Sequence, residues 1–170
     1  MELKAGPFTL RELTVDDWAI EQALTRSPDV VRWTSYPPEL DEAQTRRRID
    51  AYLVRAAEGL VQRFVILDGA VPIGTCGAGR LQSDTPEVLF ALVEAGRGRG
   101  AATSAARALC AWLFECGFEQ VACETIEGNR ASERVALRAG FEPLTAREDE
   151  HQGQPVTVRR WLWHGTPLNH

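Results

Sequence analysis

The chain has 170 residues, which fits one domain over 1–170 and is long enough to bury a core without staples. Its hydrophobic content of 44%, charged content of 25% and net charge of −5, from 19 basic against 24 acidic side chains, suit an ordinary globular protein and argue against a general nucleic-acid-binding surface. No apolar run is long enough to span a membrane, the opening MELKAGPFTLREL has no signal-peptide core, and Cys76, Cys110, Cys116 and Cys123 form no CxxC pair. A cytoplasmic protein with no metal and no membrane partner is expected, its cysteines reduced and used for packing.

The alternation in Phe8–Val15 predicts a half-buried strand. Asp16 or Asp17 then caps a short helix to about Leu24, and Ser35–Glu39 is a loop because Pro37 and Pro38 lack backbone donors. Asp41 caps the next helix, whose apolar stripe is Ile49, Tyr52, Leu53, Ala56 and Ala57, and Gly59 ends it. Arg46-Arg47-Arg48 on this helix is read as a solvated face. Val61–Leu67 is a strand, Asp68-Gly69 a hairpin signal, and Val71–Leu81 the return strand. Gly74, Gly77 and Gly79 inside it suggest bulges or a close approach by another backbone or a ligand. Glu87–Val93 is a fourth strand, Ala95–Gly100 a turn, and Ala101–Cys116 a helix with Ala105, Leu109, Trp112, Leu113 and Cys116 on one face. Val121–Ile126 is a strand, Asn129–Ala139 a helix ended by Gly140, and Val156–Trp163 the last strand. A meander followed by a crossover unit predicts an α+β fold of three layers, with a mixed, mostly antiparallel sheet and helices on both faces.

The most informative segment is Val93–Ala102, VEAGRGRGAA. It leaves a strand, turns on three glycines and enters a helix, so the N–H groups of Gly98, Gly100, Ala101 and Ala102 converge where the helix dipole is positive. Arg97 and Arg99 add full charges, and together these form a pyrophosphate cradle. A nucleotide triphosphatase loop needs Lys and Ser/Thr after its last glycine, where Ala101 and Ala102 stand. Gly96-x-Gly98-x-x-Ala101 matches a dinucleotide fingerprint loosely, but far from the first strand where such a motif belongs.

Arg97-x-x-Gly100-x-Ala102 resembles the acetyl-CoA signature of the GNAT superfamily, Q/R-x-x-G-x-G/A. Asn129-x-x-Ser132-x-x-Val135-Ala136-x-x-x-Gly140-Phe141 looks like the second conserved block of that family. Together, in this order, they mark a resemblance over roughly Phe8 to Trp163. The start FTLRELTVDDW, the segment VVRWTSYPP and Ser132 are most similar to the ribosomal-protein alanine N-acetyltransferase group. The resemblance implies the GNAT fold, with its sheet splayed after the fourth strand, and an acetyl group moved from acetyl-CoA to an amine by direct attack. It implies cofactor contacts from Val93, Arg97, Gly98, Arg99, Gly100, Ala101, Ala102, Asn129 and Arg134; Arg134 on a solvated helix face is the alternative. Ala136 stands where many members carry a tyrosine acid, and Ser132 matches the serine that replaces it in the alanine group.

A catalytic base is sought in Glu87 or Glu124, or in a carboxylate acting through water, and an acidic pocket there would suit a cationic acceptor. The Val93 N–H is expected to stabilise the oxyanion. Trp33 and Tyr36 either line the acceptor site or staple their loop to the core. Partners are then acetyl-CoA and an amine, either a peptide or protein N-terminus or a small amine, with the protein acting as monomer or homodimer. A non-catalytic acyl-CoA-binding module is the remaining reading.

Overall fold

The computed structural model describes residues 1–165, so the end of the domain expected over 1–170 lies outside the described residues. Eight strands form one sheet in the order β1-β2-β3-β4-β5-β6-β8-β7. The hairpin β1 (Glu2–Ala5) and β2 (Phe8–Glu12) opens the chain. A 3₁₀ turn at Val15–Asp17 leads into α1 (Trp18–Thr25), followed by α2 (Pro28–Trp33) and α3 (Glu42–Ala57). The meander β3 (Gln62–Asp68), β4 (Val71–Gly79) and β5 (Glu87–Leu92) comes next, then α4 (Ala101–Glu115), β6 (Gln120–Ile126), α5 (Arg130–Arg138), β7 (Glu142–His151) and β8 (Gln154–His164).

Period-two alternation on β3 divides the core. Phe64 and Ile66 join Leu10, Leu109 and Leu113 under α4 on one face, while Val65 packs with Leu13, Ile20 and Ile49 under α1 and α3 on the other. Asp41 caps α3 as expected, its Oδ1 accepting from Gln44 N at 2.7 Å. The buried stripe of α3 is Thr45 and Ile49, with Tyr52 packed beside them, whereas Leu53 and Val54 face outward. Asp17 does not act as a lone cap: its Oδ2 closes back on Thr14 N at 2.7 Å while Oδ1 takes Arg11 Nη2 at 2.7 Å.

Three elements escape the sequence reading. β1 is four residues long, too short for alternation to register. α2 is a six-residue helix, announced only by Ser27 before Pro28. β7 is exposed along nearly its whole length and rich in charge, because it is the sheet's outer edge, where charge blocks pairing with other chains.

The pairing around β5 positions the site. β5 runs antiparallel to β4 over six residues, Glu87 to Leu92. It meets β6 in parallel only at Glu87↔Ala122, beside the bond from Ala122 N to Pro86 O at 2.9 Å. Beyond that point the two strands separate, which is the splay expected after the fourth predicted strand; the unforeseen β1 makes it the fifth.

Candidate active site

The splay opens two cavities. The first, about 500 Å³, lies between α2, the α4 N-terminus and the first turns of α5. The second, about 530 Å³, extends over α3, β3 and β4 toward β7. Trp33, Thr34, Phe90, Ala91, Asn129 and Ser132 line both, so the cavities meet at the free edge of β5.

In the first cavity the glycine turn before α4 takes up the conformation that its sequence suggests. Gly98 and Gly100 have φ of 84° and 78°, the left-handed region that favours glycine, and a Cβ on either would meet no protein atom within 4 Å. The space in front of them is therefore open. Gly96 has the opposite role: its Cβ would strike Ile73 Cβ at 2.7 Å, so it lets the turn lie against β4. Gly98, Gly100, Ala101 and Ala102 line the cavity at the start of α4. Arg97 also lines it, held by Asp29 Oδ2 at 3.1 Å and by Leu92 O at 3.1 Å. Arg99 instead pairs with Asp68 and is not part of this wall. Arg134 lines the cavity, and so do Thr103, Arg130 and Arg138, which the sequence reading missed. Arg130 and Arg138 could have been found by continuing the α5 face by helical periodicity from Arg134.

Strand parity corrects one residue. Val93 N donates to Ile73 O at 3.0 Å, so its N–H is not free for an oxyanion. In an antiparallel pair, alternate residues direct both backbone groups to the same neighbour. Ala91, Leu89 and Glu87 share the parity of Val93 and face β4. Val88, Phe90 and Leu92 face the separated β6, and of these Phe90 and Leu92 line the first cavity.

Asn129 caps α5 and is buried, its Oδ1 accepting from Ser132 N at 3.3 Å. Asn129 Nδ2 donates to Ser132 Oγ at 2.9 Å, which leaves the Ser132 hydroxyl proton free to donate elsewhere. Ala136 is fully buried in the core rather than in either cavity wall.

Glu87 lies outside both cavity walls. Its Oε1 takes Arg160 Nη1 at 2.7 Å and Arg80 Nη1 at 3.0 Å, tying β5 to β8 at the base of the splay. The expected base is thus engaged as a clamp. Glu124 does line the second cavity, paired with Arg147.

Trp33 is half-buried, stacked under Arg32 and against Gly128, at the junction of the cavities. Tyr36 both lines the second cavity and is anchored in the core. Its hydroxyl donates to Glu21 Oε1 at 3.0 Å, accepts from Arg63 Nη2 at 2.8 Å and shares a 2.6 Å bond with Thr75 Oγ1. Burial pushes this phenol well above its ordinary pKa, so it stays neutral. Burial likewise pushes the Cys76 and Cys123 thiols up to about 12. Cys116 departs from the packing role, being exposed at the end of α4.

A sheet splayed at β5, with a glycine turn leading into the next helix beside the opening, fits the acyl-CoA transferase class. Residues 8–142 match the model of the acetyltransferase (GNAT) domain, and the chain belongs to that family. No curated protein sequence matches it. Among solved structures it is similar to RimL, a ribosomal L7/L12 α-N-protein acetyltransferase in complex with coenzyme A, at TM-score 0.89 and 15% identity over 96% of this chain and 98% of that one. The microcin C7 self-immunity acetyltransferase MccE, in complex with acetyl-CoA and AMP, gives TM-score 0.85 and 14% identity over 92% of both chains. The ribosomal-protein-S5-alanine acetyltransferase of Vibrio fischeri gives 0.82 and 16% over 100% of both. At these identities the likeness is one of fold. Among the described residues no helix is long and apolar enough to cross a membrane.

Proposed function

We propose that this chain is an acetyl-CoA-dependent N-acetyltransferase that passes the acetyl group directly to a primary amine, and that the amine is an α-amino group. The observation that carries this reading is the meeting of the two cavities at the free edge of β5, beside Ser132. The family, and the coenzyme A and acetyl-CoA held by similar folds, support the donor.

The backbone N–H groups at the start of α4, with Arg97 and Arg134, hold the pyrophosphate in the first cavity. The outward backbone groups of Phe90 and the outward N–H of Leu92, whose carbonyl is taken by Arg97, hold the pantetheine arm and bring the thioester to the junction. There the amine nitrogen attacks the carbonyl carbon, and an outward N–H of Phe90 or Leu92 stabilises the developing oxyanion. When the C–S bond breaks, Ser132 gives its free proton to the thiolate, which the α5 N-terminus also stabilises. None of the six residues shared by the cavities is acidic, so the junction suits an amine that arrives neutral. An α-amino group with a pKa of about 7.7–8.0 does so near neutral pH. The proton that the amine loses on attack leaves through the acceptor cavity, where Glu124 stands in the wall, and water in the cavity returns a proton to Ser132.

Calorimetry with acetyl-CoA, followed by thiol-release assays across α-amines and ε-amines, tests the reading. Binding with faster turnover of α-amines is expected. Preferential turnover of ε-amines or polyamines, or no acetyl-CoA binding, refutes it.

A further inference from the structure

The acceptor cavity carries cations that the protein does not neutralise. Glu21 is fully buried and is the one carboxylate between Arg63 at 3.6 Å and Arg48 at 3.9 Å. Two guanidinium groups against one carboxylate leave this cluster with a net positive charge. Burying an uncompensated charge is costly.

The donors of these arginines are also underused. Arg63 is only 7% exposed and hydrogen-bonds through Nη2 alone, to Tyr36 Oη at 2.8 Å and Thr75 Oγ1 at 3.2 Å. Its buried Nε has no partner among the described residues. Arg48 makes no hydrogen bond among them; its buried Nε and the buried Glu21 Oε2, 3.9 Å apart, both lack a hydrogen-bond partner. The Arg48 guanidinium lies 4.9 Å from the Tyr36 ring centre and 5.1 Å from that of Tyr52, so two aromatic rings fix it in place. An arginine held this way offers a pre-set fork for an oxyanion.

Both arginines line the second cavity, and Arg55 beside them makes no ion pair among the described residues. Of the other charged groups of the wall, Glu150 is an exposed carboxylate with no ion pair among the described residues, at the β7 side of the cavity, and the rest are largely paired. Arg80 is held by Glu87, and Glu124 and Asp149 are held by Arg147. The cavity therefore runs from the junction, where an amine meets the thioester, to an arginine wall with unused donors. Its volume of about 530 Å³ is that of a small-molecule site.

We propose that the acceptor is a small primary amine bearing an oxyanion, a carboxylate or a phosphate, which Arg48 and Arg63 bind while its amine lies at the junction. This rests on the acetyltransferase reading and names the substrate class of that same site. It turns away from the cationic acceptor expected from sequence, because a polyamine or aminoglycoside would place positive charge against the arginines.

The test uses matched pairs, with coenzyme A bound for calorimetry and acetyl-CoA for turnover. The panel is the amino acids against their amides, 2-aminoethyl phosphate against ethanolamine, a short peptide with a free N-terminus, and spermidine. At least one oxyanion-bearing amine is expected to exceed its neutral partner by about tenfold or more in affinity and kcat/KM. The amino-acid and phosphate arms tell which oxyanion is preferred. Arg48→Gln should collapse that ratio to near one. Arg47→Gln, on the exposed face of the same helix, should leave both ratio and rates unchanged. Arg63→Met should act like Arg48→Gln if it folds; Arg48→Gln decides the matter if it does not. Preference for a neutral amine, the peptide or spermidine, a ratio that survives Arg48→Gln, or no binding of any oxyanion-bearing amine overturns the proposal. Preferential turnover of a neutral amine would overturn it while leaving the acetyltransferase reading standing. Failure to bind coenzyme A at all would remove both.

Discussion

Gly100→Val separates the two demands placed on the cradle, backbone conformation and open space. A Cβ at Gly100 meets no protein atom within 4 Å, so the free protein suffers no clash. The cost to folding is conformational, because φ is 78° and valine resists that region. That cost is about 1–2 kcal/mol, which in a chain of this size lowers Tm by roughly 2–8 °C. Binding is affected much more. The isopropyl group enters the open space in which the pyrophosphate is proposed to meet the N–H groups of Ala101 and Ala102, and each charge-assisted bond lost is worth about 1.5–3 kcal/mol. Two such bonds give about 3–6 kcal/mol, a weakening of roughly 10²–10⁴-fold in Kd for coenzyme A. Gly59→Val is the control: Gly59 has φ of 73°, also meets nothing within 4 Å, and lines neither cavity. It should lose similar stability and bind coenzyme A normally. Calorimetry and thermal melts read both effects. If Gly100→Val binds coenzyme A within about threefold of the parent chain, the pyrophosphate does not lie at this helix start and the argument fails.

Three further outcomes follow from the site. Ser132→Ala should lower kcat by about 10²-fold or more with little change in acetyl-CoA affinity, because a proton donor acts in the transition state alone; single-turnover rates would show it, and an unchanged kcat would leave water as the donor. Glu87→Gln should mainly destabilise, losing two partly exposed ion pairs worth together about 0.4–2 kcal/mol, while the acidic limb of kcat/KM follows the pKa of the acceptor; loss of that limb would restore Glu87 as the base. In a thiol titration of the native protein Cys116 should react first, since Cys76 and Cys123 are buried with pKa values near 12 and a thiol reacts as its thiolate; rapid modification of all four before unfolding would contradict the packing described.

The sequence by itself determined the glycine turn and helix start at which the donor is proposed to bind. The cradle is contiguous, runs from strand to helix, and works through backbone N–H groups, so glycine spacing and a helix start suffice to announce it. The Asn129–Ser132 pair is legible for the same reason, because capping joins residues three apart on one chain segment. Tertiary structure alone decided the rest. Whether Val93 or Leu92 faces the open edge depends on the pairing of β5 with β4, and a shift of one residue in a period-two strand reverses the direction of its N–H. Glu87 resembled a base at a strand end until the sheet order placed Arg160 beside it. The run Arg46–Arg48 looked uniform, yet helical periodicity divides it. Arg46 bonds Glu42 and stacks on Trp18, Arg47 faces solvent, and Arg48 turns inward between Tyr36 and Tyr52. The arginine wall joins Glu21, Tyr36, Arg48, Arg63 and Thr75, drawn from α1, a loop, α3, β3 and β4. No spacing in one dimension reports such a cluster, because it exists only where the helices of one face fold across the sheet.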